Sequence, residues 1–129
     1  MYYTSDNKKL GLGGFDIYMR TSTGRDTWSE PINLNINTEF DEGFPFLSED
    51  GKTLYFTSNG YEGFGGFDLY KSTWNSDGYW NEPVNMGQPI NTPSDEKFIW
   101  FYTETEAYIS GYRPGGNGYS DIYRVTIPE

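Results

Sequence analysis

The sequence predicts an all-β protein, and three observations support this fold class. Aromatic residues make up 19% of the chain and there are 16 glycines, a composition typical of strands separated by turns. Alanine, the strongest helix former, occurs only once, at Ala107. The chain also repeats its own sequence at an interval of about 52 residues, which indicates a series of small structural units.

The repeat is carried by motifs that return in the same order. Gly-Gly-Phe-Asp, followed by Ile or Leu and then Tyr, occurs at 13–18 and again at 65–70. Residues 28–33 and 80–85 share a Trp, a Glu-Pro pair and an Asn, and Ile-Asn-Thr recurs at 36–38 and 90–92. A third, weaker copy begins at Tyr108. So many matches in one order indicate a true internal repeat.

The second copy divides into four short strands. Asp-Gly pairs suit tight hairpin turns, and alternating apolar residues indicate strands with one buried face. On these signals we expect strand one near 42–47, a turn at Asp50-Gly51, strand two at 53–58, a glycine-rich loop at 59–66, strand three at 67–72, a turn at Asp77-Gly78 and strand four around 80–85.

Four antiparallel strands in about 52 residues are typical of one β-propeller blade. The sequence therefore predicts a single propeller segment over 1–129, with a partial first blade at 1–38, a complete second blade at 39–92 and a partial third blade at 93–129. The expected strand counts are three, four and three, about two and a half blades. A closed propeller needs roughly four blades or more, so we expect a fragment of a larger propeller.

The third copy departs from the pattern. Glu104-Thr105-Glu106 stands where the hairpin turn is expected, and 98–100 replaces the proline-containing strand one, which suggests an edge or degenerate blade. Incomplete blades at both ends would expose strand edges, so strand-edge pairing or oligomerisation is expected.

These motifs resemble the TolB-type, WD-repeat-like propeller repeat. The resemblance is carried by Asp41-Glu42 with Pro45, by the run 47–58, and by the motifs at 65–70 and 80–85, and it covers essentially the whole chain. The sequences of these motifs are similar to those in propellers of Bacteroidetes envelope proteins, in which the propeller often precedes an OmpA-like domain. The resemblance implies a periplasmic or outer-membrane-associated protein, although residues 1–4 show no signal-peptide features.

Composition removes several classes of function. The chain has no cysteine and no histidine, which excludes thiolate metal sites, cysteine nucleophiles and Ser-His-Asp triads. Its net charge of −10 argues against binding nucleic acid, whose phosphates require a basic surface. No apolar run reaches the roughly 20 residues of a membrane-spanning helix, so membrane insertion is not expected.

Two sets of repeated carboxylates could carry chemistry. Asp16, Asp68 and Asp121 each stand at the start of strand three and could ring a cation or a sugar. Asp41-Glu42 and Asp95-Glu96 could be paired acids of a glycosidase or calcium ligands. Repetition in each blade instead favours backbone hydrogen bonding in turns and loops. A cation that rigidifies the glycine loops remains a third alternative. Trp28 and Trp80 are expected to pack between neighbouring blades.

The favoured function is a non-catalytic scaffold that binds protein partners, with no catalytic, cofactor-binding or metal residues and no cofactor. An acidic surface suits a basic protein or peptide. Aromatic residues that break the repeat are the expected partner-binding residues: Trp74, Tyr79, Trp100 and Tyr112. The alternative function is a carbohydrate-binding or glycoside-hydrolase-like propeller.

Overall fold

A computed structural model describes residues 1–118 and 120–128. Within these residues the protein is all-β, with antiparallel strands and no helix, which confirms the predicted class. Tyr119 lies outside the described residues, as does Glu129, with which the predicted third partial blade ends.

The strands are short and follow one another through turns and loops. In chain order they are β1 (Tyr2–Ser5), β2 (Asp16–Met19), β3 (Ser22–Gly24), β4 (Thr27–Trp28), β5 (Ile32–Asn33), β6 (Glu42–Leu47), β7 (Thr53–Ser58), β8 (Asp68–Asn75), β9 (Tyr79–Trp80), β10 (Val84–Asn85), β11 (Glu96–Phe101), β12 (Glu106–Gly111) and β13 (Asp121–Thr126).

Three antiparallel sheets succeed one another along the chain. The first sheet has the order β1-β2-β5, the second β10-β8-β7-β6 and the third β11-β12-β13. The short β9 also pairs with β8, and β3 and β4 form a separate hairpin. Each sheet falls within one of the three segments of the repeat, 1–38, 39–92 and 93–129.

The second sheet shows how the sequence forms these strands. Leu54 and Phe56 alternate with Tyr55 along β7, and both are fully buried while Tyr55 is half-buried. The preceding turn closes with a hydrogen bond from the Ser48 amide to the Thr53 carbonyl, at 2.8 Å. Gly51 has a φ of 73°, a conformation that glycine adopts without steric cost.

The sequence predicts one continuous strand four around 80–85, but in the structure this strand is broken into β9 and β10. Residues 79–80 and 84–85 pair separately with β8, and the chain between them leaves the ladder. Pro83 lies in the gap and has no amide hydrogen to donate to a neighbouring strand. Pro31 separates β4 from β5 in the same way.

The hydrophobic core lies between sheets rather than within one. The first cluster joins Ile17, Leu34 and Ile36 of the first segment to residues of the second, Leu54, Phe56, Tyr70 and Trp80. The second cluster joins Leu69 and Ile90 of the second segment to residues of the third, Ile99, Ala107, Ile109 and Ile127. Ile17 and Leu69 occupy the same repeat position, as do Phe56 and Ile109. The chain therefore makes the same contact between sheets twice.

Only one of the two repeated tryptophans packs as expected. Trp80 is 2% exposed and belongs to the cluster between the first and second sheets, which agrees with packing between units. Trp28, at the equivalent position of the first segment, is 47% exposed. Among the described residues, no further sheet lies beyond the first to cover it.

Buried asparagines extend the hydrogen bonding beyond the strands. Asn91 accepts a bond from the Leu69 amide at 2.7 Å and donates to the Leu69 carbonyl at 2.8 Å. Asn37 makes the same pair of bonds with Ile17, at 2.8 and 2.7 Å. Each amide group thus replaces a strand partner for a fully buried residue of β2 or β8, which satisfies the backbone there.

Replacing Asn91 with alanine should lower the free energy of unfolding by about 1–3 kcal/mol, because the Leu69 N–H would stay buried without an acceptor. Urea unfolding followed by circular dichroism measures this loss. Asn117→Ala, at an exposed position, is the control and should change the stability by less than about 0.5 kcal/mol. Equal effects of the two substitutions would contradict the role assigned to Asn91.

Candidate functional site

A concave surface, a groove, lies between the second and third sheets. Its volume is about 1070 Å³. One side is formed by β6, the following hairpin turn and parts of β7 and β8, and the other by the end of β11 and its turn. We call it the intersheet groove. Its aromatic and charged lining residues are Phe46, Glu49, Asp50, Tyr55, Lys71, Phe101, Tyr102 and Glu104.

Aromatic rings form the floor of the intersheet groove. The ring centroid of Phe101 lies 4.6 Å from that of Tyr55 and 5.7 Å from that of Phe46. These contacts join β11 of the third sheet to β6 and β7 of the second. Burial, followed by the negative charge of Asp50, raises the pKa of Tyr55, so its phenol stays protonated at neutral pH.

The rim of the groove is acidic because of the hairpin turns. Asp50 accepts hydrogen bonds from the Ser48 hydroxyl at 2.6 Å and from the Lys52 amide at 3.0 Å. The Ser48 bond, followed by the amide bond, lowers the pKa of Asp50, which therefore carries its charge at neutral pH. Glu49 and Glu104 add two more carboxylates, while Lys71 is the one cation among the described lining residues.

The four aromatic residues singled out by the sequence do not come together. All are exposed, but Trp74 and Tyr79 belong to the β8–β9 hairpin, Trp100 lies on β11 and Tyr112 follows β12. Trp74 packs edge-on against Trp80 at 5.1 Å. Among the described residues, none of the four lines the intersheet groove.

Sequence reasoning missed the aromatic residues that do line the groove. Tyr55 and Phe46 belong to the repeat, so departure from the repeat does not single them out, and Phe101 and Tyr102 adjoin the degenerate turn of the third copy. The available signal was that the turns at 48–53 and 102–106 occupy equivalent positions in adjacent units. Equivalent turns of stacked units lie at one end of the stack, where their side chains can share a groove.

The repeated aspartates, which are the first residues of β2, β8 and β13, bind the glycine-rich loops. Asp16 accepts a hydrogen bond from the Leu12 amide at 2.6 Å, Asp68 from Phe64 at 2.6 Å and Asp121 from Asn117 at 2.9 Å. This confirms that each aspartate accepts backbone bonds within its own loop.

Asp41 and Asp95 bind across segments rather than within them. Asp41 accepts a bond from the Phe15 amide and Asp95 one from the Phe67 amide, both at 2.8 Å. Both carboxylates thus accept backbone hydrogen bonds, as their repetition favours, but the donors belong to the preceding segment. A Cβ atom on Gly14 or Gly66 would collide with the same carboxylates, so the glycines permit this close approach. These carboxylates hold adjacent segments together.

The two following glutamates are buried in equivalent polar sites. Glu42 accepts bonds from the amide and hydroxyl of Thr38, at 2.9 and 2.6 Å, and from the Ser58 hydroxyl at 2.7 Å. Glu96 accepts bonds from the Thr92 hydroxyl at 2.5 Å and from the Arg113 guanidinium at 3.1 Å.

Arg113 replaces a donor that the third copy has lost. Gly111 stands at the position of Ser58, so no hydroxyl reaches Glu96 from β12. The guanidinium also donates to the Ile90 carbonyl at 2.7 Å, which ties the third segment to the second. The second carboxylate oxygen of Glu96 is buried and has no partner among the described residues.

A second, apolar cavity of about 570 Å³ lies beside β6. Phe15, Phe44 and Phe67 form much of its wall, and Asp41 and Glu42 also border it. Both carboxylate oxygens of Glu42 already accept hydrogen bonds from Thr38 or Ser58. Among the described residues, no group of three or more acidic side chains is arranged to hold a metal ion.

Comparison with known proteins adds no relative. No family model, no curated protein and no solved structure matches this chain. The described residues contain no helix that is long and apolar enough to cross a membrane.

Glu96 should make the stability depend on pH. Burial raises the pKa of the Glu96 carboxyl above its ordinary value. The hydrogen bonds from Thr92 and Arg113 lower this pKa, but by less than burial raises it. The folded state then holds a proton more tightly than the unfolded state, so this contribution falls as pH rises from the ordinary to the raised pKa. Glu96→Gln should remove that decrease, as measured by urea unfolding between about pH 4 and pH 7.

The matched control is Glu104→Gln, which removes the same charge from an exposed turn and should leave the pH dependence unchanged. The comparison uses the slope of stability against pH and not its absolute value, because Glu96→Gln also weakens the ion pair with Arg113. A wild-type slope that persists in Glu96→Gln would contradict the assignment.

Proposed function

We propose that this chain is a non-catalytic, protein-binding segment of a β-propeller, and that its intersheet groove holds a basic segment of a partner protein. The observation that carries the proposal is the composition of the groove. Aromatic rings line its floor, and three carboxylates face one lysine among the described lining residues. With a net charge of −10, the whole chain also attracts cationic partners.

The chemistry of the groove favours arginine or lysine side chains. An aromatic face attracts a cation within about 6 Å of its centroid, and a nearby carboxylate supplies a charged acceptor. Tyr55 and Tyr102 provide such faces, and Glu49 and Glu104 such acceptors. Arginine suits both because its planar guanidinium stacks on rings and forms bidentate bonds with carboxylates.

The propeller architecture is part of the same proposal. It is supported by three successive antiparallel sheets of three, five and three strands, in which β9 and β10 of the second sheet are the two parts of one broken strand. It is also supported by two equivalent hydrophobic clusters, each formed between neighbouring sheets. Four-stranded units that pack face to face around an axis would produce both features.

The proposed cellular setting is the bacterial envelope, in the periplasm or associated with the outer membrane. Its support is the resemblance of the repeat motifs to TolB-type propellers of Bacteroidetes proteins that carry OmpA-like domains. The relevant residues are those of the Asp41-Glu42 and 65–70 motifs. A scaffold at that location would hold a partner protein without chemical turnover.

A carbohydrate-binding function is the alternative, and one observation favours it. The rings of Trp100 and Tyr108 are exposed and nearly parallel, with centroids 6.4 Å apart and an interplanar angle of 18°. Flat, exposed rings offer apolar faces on which a sugar could stack. The repeated carboxylates contribute less to this alternative, because they accept hydrogen bonds from backbone or side-chain groups.

An arginine-rich peptide should bind the chain, and Glu49→Lys with Glu104→Lys should weaken that binding at least tenfold, because two attractive charges become repulsive. Fluorescence anisotropy of the labelled peptide measures the affinity. Binding should also weaken as salt rises, since the groove is open to solvent.

Asp6→Lys with Glu30→Lys is the matched control, because it makes the same change in net charge at exposed positions outside the groove. It should reduce affinity much less than the groove variant. Equal losses in the two variants would mean that net charge alone attracts the peptide, and the groove would not be the site. Binding of an oligosaccharide but not of the peptide would favour the alternative function.

A further inference from the structure

The first sheet packs on the second and the second on the third. The outer surfaces of the first and third sheets expose the two different faces that meet in these contacts. We define the C-terminal face as Trp100, Tyr108 and Ile122 on the third sheet, and the N-terminal face as Tyr3 and Trp28 of the first segment. For each of these residues, the equivalent residue of another repeat is buried or packs against a neighbouring sheet.

Ile122 is the clearest member of the C-terminal face. It pairs with Ser110 in the register in which Leu69 pairs with Thr57 and Ile17 pairs with Thr4. Ile17 and Leu69 are both 0% exposed, because each faces the next sheet along the chain, whereas Ile122 is 68% exposed. Ile122 lacks the neighbouring sheet that covers the other two residues.

Trp100 and Tyr108 extend this face. They pair with each other as Phe46 and Tyr55 do in the second sheet. Phe46 and Tyr55 both pack against Phe101 of the third sheet, whereas Trp100 is 51% exposed. Three large apolar groups therefore form one exposed patch on the third sheet, where a further sheet would pack.

The N-terminal face is the complementary half. Tyr3 pairs with Tyr18 as Phe56 pairs with Tyr70, and the interplanar angle is 24° in both ring pairs. Phe56 is fully buried against the first sheet, whereas Tyr3 is half-buried. Trp28 is likewise the exposed counterpart of the buried Trp80.

We infer that the C-terminal face of one copy binds the N-terminal face of a second copy. This contact would reproduce the packing of the first sheet on the second and of the second on the third. The two faces differ, so the association is heterologous and leads to a ring or an open chain of copies. It uses sheet faces and not only the strand edges expected from the sequence.

The association should be weaker than the internal contacts. Ile36 and Ile90, from the connections after strand four, help to bury the two internal clusters. The C-terminal face has no counterpart of either residue among the described residues. Repulsion between copies that each carry a charge of −10 opposes association as well, so added salt should strengthen it. Salt has the opposite effect on peptide binding in the groove.

Sedimentation equilibrium of the full chain tests the inference. The average mass should rise with protein concentration, and Ile122→Asp or Trp28→Asp should each lower the association constant at least tenfold. Mixing these two variants should restore one contact, because each retains the face that the other has lost, and should give a dimer that grows no further.

Val84→Asp is the matched control, because it places the same charge at an exposed apolar position outside both faces and should leave association unchanged. Circular dichroism checks that each variant folds, and Trp100→Ser offers a milder change if Ile122→Asp does not. The inference is overturned if the wild-type chain stays monomeric up to about 1 mM. It is also overturned if the mixed variants stay monomeric, or if both variants still associate alone, which would show that another surface is used.

Discussion

The packing of one sheet on the next is the interaction on which the rest of the structure depends. Few apolar side chains are available, and the two hydrophobic clusters both lie between sheets. A single three- or four-stranded sheet exposes an apolar face that only a neighbour can cover. The polar groups follow this arrangement: Asp41 and Asp95 bind the loop of the preceding segment, and Tyr61 donates to the Ile36 carbonyl at 2.5 Å. Burial raises the pKa of Tyr61 to about 12, so it remains a donor at neutral pH.

Stacking of this kind places the proposed binding surfaces at the junctions between sheets and on the outer sheet faces. The intersheet groove exists because equivalent hairpin turns of adjacent segments lie side by side, so their acidic and aromatic residues share one surface. The outer faces arise for the same reason, since Ile122 and Leu69 have the same position in different units, and only Leu69 is covered by a neighbouring sheet. One contact thus accounts for the core, for the proposed partner site and for the proposed association of copies.

The fold class was predictable from the sequence because it rests on local patterns. The turn at Asp50-Gly51 and the alternation of Leu54 and Phe56 placed β6 and β7 correctly. The break in strand four at Pro83 was not predicted, although proline's missing donor explains it. The groove was not predicted because it depends on which repeats are neighbours in space. Departure from the repeat did not identify residues of a common site, since the structure does not bring together Trp74, Tyr79, Trp100 and Tyr112.

Double-mutant cycles across the two sheet contacts test the central claim most directly. Tyr2 faces Trp80 at 6.2 Å between the first and second sheets, and its repeat equivalent Tyr55 faces Phe101 at 4.6 Å between the second and third. Alanine substitutions of each pair, singly and together, are compared by urea unfolding. Trp80 and Phe101 stand at different repeat positions, but coupling of about 0.5–1.5 kcal/mol in both cycles is expected if each sheet packs on the next. Additivity within about 0.3 kcal/mol in either cycle would contradict energetically significant packing between those two sheets.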